Sequence, residues 1–269
     1  MNTRSIPLLK TSLIFTAAFA LACGTSGSKS ATTRTSLASA TAGDVVVEML
    51  TTNQLETGLT PIYLKLTDAA GQPVTDAAVT FVPLMHMSTG ITHTAPVYGP
   101  PLLDSDGYYT CEVVFQMPTS TSGYWDLKVS VERPGSAKTE AIFQQMNVAD
   151  SGRSATFMYT DPVTSISTKY VVSMNFEAAQ RVGLNPVIVT VHQRQDMMTF
   201  PPVDGLTITL DPQMPSMGHG SPGSINPTLV SDGRYSGKLS YSMTGPWETT
   251  VTIEKDGVVL GKPVFKTLF

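Results

Sequence analysis

Apolar and polar positions alternate along most of this chain in short runs. Ile62-Tyr63-Leu64-Lys65-Leu66, Val187-Ile188-Val189-Thr190-Val191 and Val251-Thr252-Ile253 carry the pattern most clearly. Turn chemistry closes such runs at Ala70-Gly71-Gln72-Pro73, Asp106-Gly107, Pro134-Gly135 and Asp256-Gly257. Successive side chains of a strand point to opposite faces, so this spacing predicts half-buried strands joined by tight turns. The longest stripe puts Tyr109, Cys111, Val113, Phe115 and Met117 on one face; Tyr235, Gly237, Leu239, Tyr241 and Met243 repeat it. Parity places that face on a core, which makes Cys111 a small buried hydrophobe. Past the N-terminal segment no window carries a helical stripe. The chain is therefore expected to be all-β, built from antiparallel Ig-like sandwiches of about seven strands each.

The pattern occurs twice. Val46-Val47-Glu48-Met49 returns as Val171-Val172-Ser173-Met174, and Gly58-Leu59-Thr60-Pro61 as Gly183-Leu184-Asn185-Pro186. Asp106-Gly107-Tyr108-Tyr109 returns as Asp232-Gly233-Arg234-Tyr235, and Trp125 as Trp247. The displacements are 125, 125, 126 and 122 residues, near-constant and far longer than a solenoid repeat. They predict tandem domains, each with its own core: residues 44–148 and 169–269, with 149–168 as linker. Thr156-Phe157-Met158-Tyr159 within that linker reads as an extra strand of either domain, Trp125 and Trp247 as core anchors. Tyr109 and Tyr235 read either as corner-type hydrogen bonders or as ordinary packing.

Composition adds a compartment. Arg4 and Lys10 precede an apolar run, Thr11 to Leu21, that is too short to span a membrane. Leu21-Ala22-Cys23-Gly24 resembles a bacterial lipobox, which implies a signal peptide over 1–22 and a lipidated Cys23; an ordinary secretory signal is the alternative. Residues 23–43 are rich in Ser, Thr, Ala and Gly and read as a flexible tether. The folded part is thus expected outside the cytoplasm, held to a membrane by lipid. With Cys23 lipidated, Cys111 has no disulfide partner, and stability must come from core burial. A net charge of −4 speaks against nucleic acid as a partner.

Chemistry concentrates in methionine and histidine. One copy carries Met85-His86-Met87, His93 and Met117; the other carries Met214-Pro215-Ser216-Met217-Gly218-His219 and Met243. Both groups lie where a strand runs into a Gly/Pro-rich loop. Thioether and imidazole suit soft cations, Cu(I) above all, and disfavour Mg²⁺ and Ca²⁺. The competing reading is packing, since Met85 continues the parity of Val79 and Phe81, and Met214 that of Ile208 and Leu210. Alternation turns His86 away from Met85 and Met87, so His93 is the better ligand in that copy. His192 has no counterpart and reads as a solvated or edge-strand histidine. Gly218-His219-Gly220-Ser221-Pro222-Gly223 has the spacing of a phosphate loop but leads into Pro222 and Pro227, not a helix. Asp104-Ser105-Asp106-Gly107 lacks the Glu of a calcium loop. No catalytic constellation is visible, so an enzyme is not expected.

Met214-Pro215-Ser216-Met217-Gly218-His219, the Gly233-Arg234-Tyr235 turn and Met243-Thr244-Gly245-Pro246-Trp247 resemble the YtkA-like and FixH-like domains. These are small exported β-sandwiches associated with copper handling and cytochrome oxidase maturation, similar in architecture to CopC-type copper carriers. The resemblance covers about the last 60 residues. It implies Met214, Met217, His219 and Met243 as copper ligands, with copper-trafficking or oxidase-assembly proteins as partners. A second set would draw on Met85, Met87, Met117 and His93 or His86. The alternative is a metal-free lipoprotein whose tandem sandwiches present loops to a partner protein.

Overall fold

The computed structural model describes Met1 and residues 33–269. The expected signal peptide, Cys23 and most of the expected tether lie outside the described residues. No helix occurs among the described residues, and the strands form two antiparallel β-sandwiches.

The first sandwich contains β1 (Thr35–Ala42), β2 (Val45–Thr51), β3 (Gly58–Thr67), β4 (Ala78–Met87), β5 (Thr92–Thr94), β6 (Val97–Leu103), β7 (Tyr109–Phe115), β8 (Gly123–Glu132) and β9 (Thr139–Met146). Its sheets run β1-β2-β3-β7-β6 and β5-β4-β8-β9. The second contains β10 (Ser154–Thr160), β11 (Ser167–Phe176), β12 (Gly183–Gln193), β13 (Thr207–Met214), β14 (His219–Gly220), β15 (Ile225–Ser231), β16 (Arg234–Tyr241), β17 (Pro246–Lys255), β18 (Val258–Gly261) and β19 (Val264–Leu268). Its sheets run β10-β11-β12-β16-β15 and β14-β13-β17-β18, with β19 also on β17.

The expected seven strands per copy become nine and ten. Two of the additions lie outside the expected domain bounds. Thr35–Ala42, inside the expected tether, is β1 and pairs with β2 from Thr35↔Thr51 to Ala42↔Val45. Ser154–Thr160, inside the expected linker, is β10 and pairs with β11 from Ser154↔Ser173 to Thr160↔Ser167. Both are edge strands: β1 is Ser/Thr/Ala-rich and held mainly by its backbone ladder, whereas β10 adds an alternating inward set of its own. Leu37, Ala38 and Ala40 pack on the first core; Ala155, Phe157 and Tyr159 pack on the second.

Each sandwich closes on its own core. Trp125, Phe115, Met85 and Leu127 are fully buried in the first, and Trp247, Tyr235, Tyr241 and Phe265 in the second. Cys111 lies in the first core as a free thiol. Burial, with Glu112 adding to it, pushes its pKa up to about 12, so it is no nucleophile.

The tyrosines after the Asp-Gly turns are hydrogen bonders. The Ala77 N–H donates to Tyr109 Oη over 3.0 Å. The Leu206 N–H donates to Tyr235 Oη over 3.1 Å, and that hydroxyl donates to the Val203 carbonyl over 2.8 Å.

The sandwiches also share a third apolar cluster, Val114, Val171 and Phe200, flanked by Leu59 and Tyr98. The β11 strand is buried on both faces: Tyr170, Val172 and Met174 point into its own core, while Val171, Ser173 and Asn175 lie on the opposite face. Polar groups there are satisfied in a chain. Ser173 and Thr190 hydroxyls lie 2.6 Å apart, Asn175 Nδ2 donates to Ser173 Oγ over 2.8 Å, and the Leu59 N–H donates to Asn175 Oδ1 over 3.1 Å.

Candidate functional site: a His-Met-Trp row in each sandwich

A β-sheet sets side chains that are paired across neighbouring strands on the same face. In the first sandwich β5 pairs with β4 through Met85↔His93, and β4 with β8 through Met85↔Trp125. His93, Met85 and Trp125 therefore form one row across the smaller sheet. In the second, β14 pairs with β13 through Met214↔His219. The β13–β17 ladder ends at Gln213↔Glu248, so Met214 falls opposite Trp247 at the next step. His219, Met214 and Trp247 form the same row.

The two rows agree in detail. The imidazole edge of His93 meets Trp125 with ring centroids 6.0 Å apart at 89°, and His219 meets Trp247 at 5.7 Å and 74°. His93 Nδ1 lies 2.9 Å from the Thr94 carbonyl and His219 Nδ1 lies 3.1 Å from the Gly220 carbonyl. A carbonyl only accepts, so Nδ1 carries a proton in both rings, and the neutral tautomer this selects keeps its lone pair on Nε2. That second-atom anchoring is how protein imidazoles are set up to coordinate.

Each indole ties a further methionine to the row: Trp125 Nε1–H donates to the Met117 carbonyl and Trp247 Nε1–H to the Met243 carbonyl, both over 3.0 Å. Met85 and Met214 are buried, lying against Gly123 and Gly245, each two residues before its tryptophan. A Cβ at Gly123 would stand 2.7 Å from Met85 Cε, and one at Gly245 would stand 3.2 Å from Met214 Cε.

The remaining candidates are placed differently. Met87 shares the strand face of Met85, one residue pair beyond the row, and packs against the first core with Met117. His86 points to the other face: it stacks on Tyr124 at 5.0 Å, and its Nε2 lies 3.1 Å from Asp126 Oδ2. It is removed from the row by the alternation that links it to Met85. Met217 sits in the turn between β13 and β14 and is 60% exposed, outside the row. Met243 is also exposed, at the rim. Among the described residues no three His, Cys, Asp or Glu side chains come together, so a cation held at either row would be held largely by sulfur.

His192 is neither solvated nor on an edge. It is buried against the first sandwich, its ring edge-on to Tyr98 at 5.1 Å. Burial and, secondarily, the Arg234 charge bring its pKa down to about 3. Arg234 lies 3.6 Å over the Tyr98 ring and pairs with Glu112.

Sequence reasoning missed three features of the rows. Trp125 and Trp247 were legible only as core, although each also frames a histidine. Met146 stands opposite Trp125 on β9, where the other copy has Thr267, so the repeat gave it no signal. The surroundings of His93 come from the other sandwich: the Thr94 N–H donates to the Met197 carbonyl over 2.9 Å. The pKa of His93 is lowered, chiefly by burial and further by Lys169 and Arg194.

No protein-family model matches the chain, and no curated protein matches it. The YtkA-like and FixH-like resemblance therefore rests on the motif residues themselves. Among solved structures, the chain is similar to one described as that of FdeC, a broadly conserved Escherichia coli adhesin. The TM-score is 0.26 with 15% sequence identity over 84% of this chain, and the chain spans 64% of that neighbour's length.

Proposed function

We propose that this protein is an extracytoplasmic, lipid-anchored carrier of copper, taken as Cu(I), for delivery, buffering or resistance. The observation that carries the reading is the recurrence of one His-Met-Trp row in both sandwiches, with imidazole Nε2 left free each time. The hairpins that present the rows differ: the paired methionine and histidine lie eight residues apart in the β4–β5 hairpin (Met85 and His93) and five apart in the β13–β14 hairpin (Met214 and His219). Packing alone gives no reason for both hairpins to place a histidine on the same methionine and indole. The His219 row would hold the ion through His219 Nε2 and the thioethers of Met214 and Met243, with Met217 at the entrance. The His93 row would use His93, Met85 and Met117, with Met87 beside them. Thioether donors match a soft monovalent cation. The signal, Cys23 and the tether support the location and the membrane anchor; copper-trafficking or oxidase-assembly proteins are the partners in this reading.

An anaerobic competition titration of the full chain against a chromophoric Cu(I) chelator tests this. His219→Ala with Met243→Leu should weaken the tightest site by at least about 100-fold, the loss of two donors. Thermal unfolding should stay within a few degrees of wild type. Unchanged Cu(I) affinity in that variant would make the rows packing. A metal-free interaction module would then be the better reading. One feature favours that second reading: exposed apolar residues stand at the same end of β6 and β15, Leu102 and Leu103 on one and Leu229 and Val230 on the other, with Leu103 opposite Tyr109 as Leu229 is opposite Tyr235.

A further inference from the structure

The two rows agree internally but not in their surroundings. The His219 row lies at the open end of the second sandwich, beside a cleft of about 390 Å³ lined by Pro215, Ser216, Pro246, Trp247, Glu248 and Leu268. The charges beside it are balanced, since Lys266 Nζ pairs with Glu248 Oε1 at 3.3 Å.

The strand that carries His93 touches the second sandwich. The segment between β12 and β13 crosses to β5, where the Met197 carbonyl accepts from the Thr94 N–H, one residue from His93. Arg194 Nη1 lies 3.8 Å from Met197 Sδ, which turns that thioether toward a guanidinium. The Arg194 N–H donates to the Lys169 carbonyl over 2.8 Å, so both cationic residues are brought to one place. The charge acting on Lys169 is that of Arg194, a like charge. Phe200, in the same segment, packs on Val114 and Val171 and holds it down.

Resting on the copper reading above, we propose that docking of the second sandwich closes the His93 row to cations. Lys169 and Arg194 set two positive charges beside it, so the docked chain loads one Cu(I), at His219. The two copies have then diverged into an exchange site and a held site, the latter controlled by the position of the neighbouring domain. By linkage, an ion forced into the His93 row weakens the docking that opposes it. Each charge removed should strengthen cation binding at His93 on the order of tenfold, for a partly buried pair.

The test uses the full chain with the His219 row disabled by His219→Ala and Met243→Leu. Anaerobic Cu(I) titration of that background should show only weak binding. Adding Lys169→Gln and Arg194→Gln should raise its affinity by about tenfold or more, and a further His93→Ala should abolish the gain. Lys169→Arg, which keeps the charge, should change nothing. The single variants Lys169→Gln and Arg194→Gln, each giving part of the gain, cover the case in which the double variant unfolds. Two outcomes overturn the inference while leaving the copper reading intact. One is a His93 row as tight as the His219 row in the disabled background; the other is an affinity indifferent to both charge removals. A wild-type chain that binds no Cu(I) overturns the parent reading and this one with it.

Discussion

At the residue scale, a repeated residue can hold different amounts of structure in its two copies. Tyr235 and Tyr109 follow the same Asp-Gly turn, and both are buried. The Tyr235 hydroxyl satisfies a buried N–H and a buried carbonyl, whereas that of Tyr109 has one backbone partner. Removing a hydroxyl strands its partners at about 1–3 kcal/mol for each buried group. Tyr235→Phe is therefore expected to destabilise the chain by about 2–4 kcal/mol and Tyr109→Phe by about half that. Urea unfolding with unchanged m-values would check the ranking; a larger loss for Tyr109→Phe would contradict it. The glycines before the tryptophans show the same asymmetry. At Gly123 a Cβ would stand 2.5 Å from the His86 carbonyl oxygen, a backbone atom that cannot move aside, whereas at Gly245 it meets only the end of Met214.

At the scale of elements, the edge strands decide where a sandwich begins. A fragment starting at Lys169 lacks β10 and exposes one whole side of β11, including the face on which Phe157 stacks with Tyr170 at 5.2 Å. Unpaired strand edges of that kind recruit other chains. Such a fragment should aggregate or show a broadened unfolding transition, while one starting at Gly152 restores the β10–β11 ladder and gives a sharper one. Size-exclusion chromatography and circular dichroism on the pair would decide it. A monomeric, cooperatively folding fragment from Lys169 would show that β10 is dispensable.

At the scale of the whole molecule, the buried interface carries a pH signature. His192 is held neutral against Tyr98 and Arg234, with a pKa brought from 6.5 down to about 3. Above pH 6.5 the ring is neutral in both folded and unfolded chains and adds no slope. Between pH 6.5 and about 3 the unfolded chain takes up a proton that the folded one refuses, so stability falls with pH. The loss should approach about 1.4 kcal/mol per pH unit, or about 2 kcal/mol between pH 6.5 and 5, above the range where most carboxylates titrate. His192→Phe should flatten that limb. An identical pH profile of unfolding in the variant would show that His192 does not titrate with folding.

The sequence by itself determined the strands, the two copies and the inward face of each, because a period of two and a constant displacement are local or self-referential signals. It singled out Met85, Met214, His93 and His219, and it turned His86 away by parity. It did not reveal β1, whose Ser/Thr/Ala composition matches a tether and whose order comes from the ladder beside it; it marked β10 through Thr156-Phe157-Met158-Tyr159 but left open which domain takes the strand. It did not reveal that Val171 and Val114 are buried where their counterparts, Val46 and Ser240, are not, since an outward residue acquires burial only from a neighbouring domain. Tertiary structure also decided which residues share a row and which charges surround each row. Cross-strand register joins His93 to Met85 and Trp125, and domain docking brings Lys169 and Arg194 to His93 alone. Such long-range placements leave no periodicity in the chain that makes them.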